Sequence, residues 1–250
     1  MAPLRGTTID LDGFAAYRSA PPEGTPVQGG LVVIHEIWGL VDHIRDVADR
    51  FAAEGYVVLA PDILSRGGIT PEVGAELHRL RASDDEAERT REQPRMREAM
   101  TKARQPGYGE WAVGALRRAV DRLLEEPGVD GRVAVTGFCF GGSYAFALAA
   151  ADPRVRAAAP FYGSPPASAD AAAITCPVHA FYGRDDERLM AGLPEVERTL
   201  RDAGVEFEAT VYDGAGHAFF NDTNARTYVP GAAADAWRRV LTFLAEALAD

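Results

Sequence analysis

Along the chain, short runs of β-branched apolar residues alternate with longer stretches whose apolar positions recur every three or four residues. Val32-Val33-Ile34 follows Gly29-Gly30 and is apolar without a break, the pattern of a strand buried on both faces. From Val41 to Gly55, the residues Ile44, Val47, Ala48, Phe51 and Ala52 fall at helical offsets, with Gly55 as a stop. Tyr56 to Ala60 predicts the next strand, closed by Pro61-Asp62. Val113, Leu116, Val120 and Leu124 share one face of a helix predicted over 109–125, which Pro127-Gly128 breaks. Further strands are predicted over 132–137, 155–161, 178–182 and 207–212, and further helices over 141–151, 194–203 and 232–248.

Repeated strand-helix-strand units predict an α/β fold, a mostly parallel sheet with helices on both faces. The opening differs. Thr7-Ile9-Leu11 and Phe14-Ala16 flank Asp12-Gly13, a hairpin signal that predicts antiparallel strands at the sheet edge. No repeat or linker divides the chain, so one domain is expected over 1–250. Residues 62–108 interrupt the alternation with a charged helical excursion. Ser83-Asp84-Asp85-Glu86 reads there as a capping box, and Pro94 is expected to kink or stop the helix that follows. An excursion at the strand ends of such a sheet would cover a pocket.

Hydrophobic residues at 47% and charged residues at 25% exclude a disordered chain. The net charge of −11 argues against nucleic acid or an anionic membrane as partner. No run approaches the roughly 18 apolar residues of a membrane span. The start, Met1-Ala2-Pro3-Leu4-Arg5-Gly6, lacks the apolar core of a signal peptide. Two cysteines, Cys139 and Cys176, cannot build a disulfide framework and are expected as free thiols, which points to the cytoplasm. Neither metal-ligand spacings nor a strand-linked G-x-G-x-x-G occurs, so no metal and no cofactor is expected. The expected partner is a small molecule, and the expected state a monomer or small homo-oligomer.

One segment carries chemistry. Gly137-Phe138-Cys139-Phe140-Gly141-Gly142 lies between a predicted strand and a predicted helix. G-x-C-x-G is the spacing of a nucleophile elbow, with cysteine at its centre. A nucleophile on so tight a turn needs small residues two positions away on either side, and Gly137 and Gly141 supply them. The turn sets Cys139 at a helix N-terminus, where the dipole favours a thiolate, and puts the Phe140 N–H in reach of an oxyanion. Cys176, before a strand and without glycines, reads as structural. A thiol nucleophile needs a base, and the base needs an orienting acid. His179 falls inside a strand and reads as a satisfied buried histidine. His217 sits in the Gly-rich loop Asp213-Gly214-Ala215-Gly216-His217, just past a strand, and is the candidate base. Tyr182-Gly183-Arg184-Asp185-Asp186 offers two adjacent acids that chemistry alone does not separate. In the loop His35-Glu36-Ile37-Trp38-Gly39-Leu40, the Ile37 N–H is the candidate second oxyanion donor. Glu36 would raise the thiol pKa, or take its proton if a substrate displaces the carboxylate.

Together these segments resemble the dienelactone hydrolase family (carboxymethylenebutenolidases) of the α/β-hydrolase superfamily. The likeness runs along nearly the whole chain, through His35-Glu36-Ile37-Trp38-Gly39, Pro61-Asp62-Ile63-Leu64-Ser65-Arg66, the cysteine elbow, Gly183-Arg184-Asp185 and Gly216-His217-Ala218-Phe219. The resemblance implies a triad of Cys139, Asp185 and His217, with Glu36 controlling the protonation of Cys139. It also implies hydrolysis of a lactone through a thioester acyl-enzyme. Family enzymes of that specificity hold a substrate carboxylate with two arginines. Arg91, in Arg91-Glu92-Gln93, matches one; the other position is Asn221 here. That departure, with Phe138, Phe140, Trp38, Phe219 and Phe220 nearby in the motifs, implies a less charged ester or lactone. Trp38, Phe219 and Asn221 join Arg91 as candidate substrate contacts. Two rival readings are a general carboxylesterase or thioesterase, and a non-catalytic binding or sensor protein on the same fold.

Overall fold

A computed structural model describes residues 4–103, 105–165 and 168–249. Met1–Pro3, part of the segment read above for a signal peptide, lie outside the described residues. The first hairpin forms as its turn residues require. Asp12 and Gly13 both take left-handed backbone conformations, with φ of 53° and 91°. Leu11 N–H donates to the Phe14 carbonyl at 2.7 Å across the turn. β1 (Thr7–Asp10) thereby pairs antiparallel with β2 (Ala15–Ser19). β2 in turn pairs antiparallel with β4 (Tyr56–Pro61). Every pairing beyond that is parallel, through β3 (Gly29–Ile34), β5 (Val133–Phe138), β6 (Val155–Phe161), β7 (Val178–Gly183) and β8 (Phe207–Tyr212). The sheet order is β1-β2-β4-β3-β5-β6-β7-β8. β3, β4 and β5 are buried along their whole length, which is why their sequences are apolar without alternation.

Helices cover both faces of the sheet. α1 (Asp42–Ala53) and α8 (Pro230–Ala247) share one face, where Phe51 packs on Trp237 with ring centroids 4.5 Å apart. α4 (Tyr108–Leu124) and α5 (Phe140–Ala151) pack together against the strands β3 and β5. Among the described residues, no helix is long and apolar enough to cross a membrane.

Two helix boundaries differ from the sequence expectation. α7 runs Glu187–Asp202, so its start lies seven residues before Pro194, which sits inside the helix. Asp186 is its N-cap, its carboxylate accepting from the Leu189 N–H at 3.3 Å. In the excursion, α2 (Pro71–Ala82) is followed by α3 (Glu86–Lys102), which continues through Pro94 rather than stopping there. A proline removes one rung of the helical ladder, and packing against α2 holds the remainder. The cap of α3 is Asp85, whose carboxylate accepts from the Ala87 N–H at 2.8 Å; Ser83 instead ends α2.

α2 lies directly on the loop after β3. A Cβ added to Gly74 would sit 1.7 Å from the Trp38 carbonyl oxygen, so helix backbone touches loop backbone with no side chain between.

Candidate active site

The turn from β5 into α5 leaves no room for side chains at its glycines. A Cβ on Gly137 would meet the Gly141 carbonyl oxygen at 2.2 Å, and one on Gly141 would meet the Ile34 carbonyl oxygen at 2.2 Å. Cys139, between them, has φ 56° and ψ −113°, a strained conformation for a residue with a side chain. The strain lifts the thiol off the end of the sheet at the start of α5. The loop after β8 brings His217 to it, with Nε2 3.1 Å from Sγ.

The acid on the other imidazole nitrogen is Asp186, with Oδ2 2.5 Å from Nδ1. Asp185, the residue implied by the resemblance, is exposed, and only its backbone N–H engages the histidine loop, at the Ala215 carbonyl. The reason is local. As N-cap of α7, Asp186 is turned inward and is 8% exposed, with one carboxylate oxygen on the helix and the other on His217. Gly183 lets the two loops meet, since a Cβ there would lie 2.4 Å from the Ala215 carbonyl oxygen. The carboxylate accepts a hydrogen bond from Nδ1–H, which leaves Nε2 free to accept from the thiol.

Ile37 and Phe140 both direct backbone N–H groups at Sγ. These are the two donors a tetrahedral oxyanion would need. His35 shapes the loop that carries Ile37. Its Nδ1 lies 2.8 Å from the Glu36 carbonyl oxygen, and its Nε2 accepts from the Ile63 N–H at 3.2 Å. Glu36 is buried; it accepts from Asn221 Nδ2 at 2.6 Å and from the Tyr162 hydroxyl at 3.3 Å. Burial, then the charge of Glu36, push the Cys139 thiol up to about 12, against the two N–H groups and the more distant Arg188. The dipole argument alone favours a thiolate; loss of solvent outweighs it here, and the resting group is a thiol.

A cavity of about 490 Å³ opens over Cys139 and His217. Its walls include Glu36, Ile37, Trp38 and Asn221 from below and Arg81, Glu92, Gln93, Met96, Arg97 and Met100 from the excursion. Trp38 and Asn221 are therefore where a substrate contact would be, although the Asn221 side chain is already engaged by Glu36 and by Thr223. Two expected contacts are not. Arg91 points to solvent and pairs with Glu88 at 3.2 Å, because the cavity face of α3 runs through Glu92, Met96 and Met100, one turn apart each. Phe219 is fully buried behind the site, edge-on to Tyr162 and against Tyr212. Sequence reasoning left Asp186 open beside Asp185 and missed Arg81, Glu92, Arg97 and Tyr162. The four-residue spacing of Glu92, Met96 and Met100 was the available signal for the cavity face.

A mostly parallel eight-stranded sheet with a positive-φ residue between β5 and α5, and a histidine beyond the last strand, is an α/β-hydrolase fold. The family profile described as "Dienelactone hydrolase family" matches residues 14–248. A protein of Saccharolobus solfataricus named "Putative carboxymethylenebutenolidase" is 32% identical over 251 residues, covering 94% of this chain and 95% of its own. One of the same name from Synechocystis sp. is 34% identical over 227 residues, covering 84% and 82%. A crystal structure from Klebsiella pneumoniae, described as "Putative Dienelactone Hydrolase", superposes with a TM-score of 0.78 at 28% identity, covering 97% of this chain and 98% of that one. The chain belongs to the dienelactone hydrolase family.

Proposed function

We propose that this protein hydrolyses an ester or lactone with Cys139 as nucleophile, through a thioester acyl-enzyme. The observation that carries this reading is the line Sγ–Nε2 at 3.1 Å and Nδ1–Oδ2 at 2.5 Å, with two backbone N–H groups at the same sulfur. His217, oriented by Asp186, takes the thiol proton as the sulfur attacks the substrate carbonyl carbon. The Ile37 and Phe140 N–H groups hold the oxyanion. Collapse forms the thioester and breaks the C–O bond, and His217 returns the proton to the departing oxygen. Water, deprotonated by His217, then attacks the thioester carbonyl; collapse breaks the C–S bond, the acid leaves, and the sulfur takes the proton back from His217. Glu36 acts through charge, keeping Cys139 protonated until a carbonyl is in place. No step calls for a cofactor.

Arg91 is turned outward, Asn221 is uncharged, and Arg81 and Arg97 at the cavity are opposed by Glu36 and Glu92, which favours a substrate less anionic than one held by two unopposed arginines, in line with a broader carboxylesterase specificity. Two free cysteines fit a cytoplasmic setting. Cys139→Ala is expected to abolish hydrolysis of a small aryl ester, measured by phenolate release. A variant that retained wild-type kcat/KM would show that another group is the nucleophile.

A further inference from the structure

One charged side chain in the cavity is unused by the chemistry above. Glu92, on α3, is 4% exposed, yet it lines the same cavity as Cys139 and His217. A carboxyl so largely enclosed ordinarily accepts hydrogen bonds or meets a cation directly. Among the described residues, no hydrogen bond or ion pair reaches the Glu92 carboxyl. Arg81 influences it only through its charge, and burial pushes the carboxyl above its ordinary range. Its chain neighbour Arg91 has turned to Glu88 on the outside. A carboxyl that meets no partner in the protein and opens onto the cavity is explained if its partner is the ligand.

The remaining walls narrow what that ligand is. A cationic group would face Arg81 and Arg97, and an anionic one would face Glu92 and Glu36. Met96, Met100 and Trp38 offer apolar, adaptable surface between them. An uncharged molecule with an apolar body and a hydrogen-bond donor meets all three conditions. We propose that Glu92 is a specificity residue that accepts a hydrogen bond from a hydroxyl group of a neutral ester or lactone whose carbonyl lies at Cys139. The proposal rests on the hydrolase reading above and adds the chemical class of its substrate.

The test compares matched pairs of neutral lactones, one with a hydroxyalkyl substituent and one with the corresponding alkyl group, on wild type, Glu92→Gln and Glu92→Leu. Wild type is expected to favour the hydroxylated member by roughly tenfold or more in kcat/KM, mainly through KM. Glu92→Leu should erase that ratio, and Glu92→Gln, whose amide oxygen still accepts, should keep part of it. Thermal melting separates a binding role from a structural one. Removing an unpartnered buried carboxyl should leave Tm equal or higher, whereas a structural glutamate would lower it and depress both substrates alike. Absence of any preference in wild type, or its survival in Glu92→Leu, overturns the proposal. If wild type hydrolyses neither lactones nor aryl esters, the reaction assigned above fails. Calorimetric binding of the same pair to Cys139→Ala then still reads the role of Glu92.

Discussion

Asp186 divides its carboxylate between two tasks, one oxygen on the Leu189 N–H at the start of α7 and the other on His217. Asparagine caps helices as well as aspartate does, so Asp186→Asn leaves the helix start intact and changes only what His217 meets. Its kcat on an aryl ester is expected to fall by about three orders of magnitude, because the imidazole loses its fixed tautomer and its counter-charge. Asp185→Asn, at an exposed position, should stay within a few-fold of wild type. The reverse pattern of rates would return the role to Asp185. Cys139 and His217 were legible because each motif places one chemically apt residue beside glycines whose absence of a Cβ the fold requires. The acid was not, since two aspartates leave the same strand and only the helix phase after them decides which one faces in. Arg91 was misplaced for the same reason: its motif fixes position along α3, not rotation about its axis.

At the level of elements, the loop that carries His217 and Asn221 is tied to α1 by Asp222. Arg50 Nη2 lies 2.6 Å from its carboxylate, and the buried His43 lies 3.5 Å away on the other oxygen. His43, followed by Arg50, holds the Asp222 carboxyl down to about 2, from the ordinary 3.8. A depressed carboxyl contributes stability above its unfolded pKa and loses it as pH falls toward the folded value. Asp222→Asn should therefore lower Tm at pH 7 by about 3–6 °C, equivalent to about 1–2 kcal/mol once solvent screening is allowed for. The gap to wild type should narrow between pH 4 and pH 2.5. A gap that stayed constant over that range would mean the ion cluster adds nothing. The inner strands were legible from unbroken apolar runs and α1, α4 and α8 from apolar spacing, because those strands are buried on both faces and each of these helices buries one. The start of α7 was not, because Pro194 reads as a first-turn residue, while the acids before it carry the true N-terminal signal. Asp186 and the helix boundary were thus one error seen twice.

For the whole molecule, the charge of −11 and the two arginines at the cavity act over different ranges. At about 0.01 M ionic strength the screening length is roughly 30 Å, and an anionic ester approaches the field of the entire acidic surface. At about 0.15 M it is roughly 8 Å, and the distant acidic surface is screened, leaving only the mixed charges of the cavity itself, Arg81 and Arg97 with Glu36 and Glu92. Raising the salt over this interval should increase kcat/KM for an anionic aryl ester several-fold while leaving a neutral analogue flat. Equal slopes for the two would remove any steering by net charge. At this scale the sequence conveyed the α/β alternation and the antiparallel edge, both of which follow from local pattern. It did not convey where the excursion rests, because that depends on a backbone contact at a single glycine.

That contact has a consequence of its own. With Gly74 seated on the Trp38 carbonyl, nothing but two layers of backbone separates the roof of the cavity from the loop that presents the Ile37 amide. Any side chain at position 74 would have to raise α2, and α3 with it, by roughly 1.5–2 Å to restore ordinary contact. The height of the cavity over Cys139 is thus set at a residue that does not line it, and an engineered form with a larger residue 74 is expected to have a taller cavity with every wall residue unchanged.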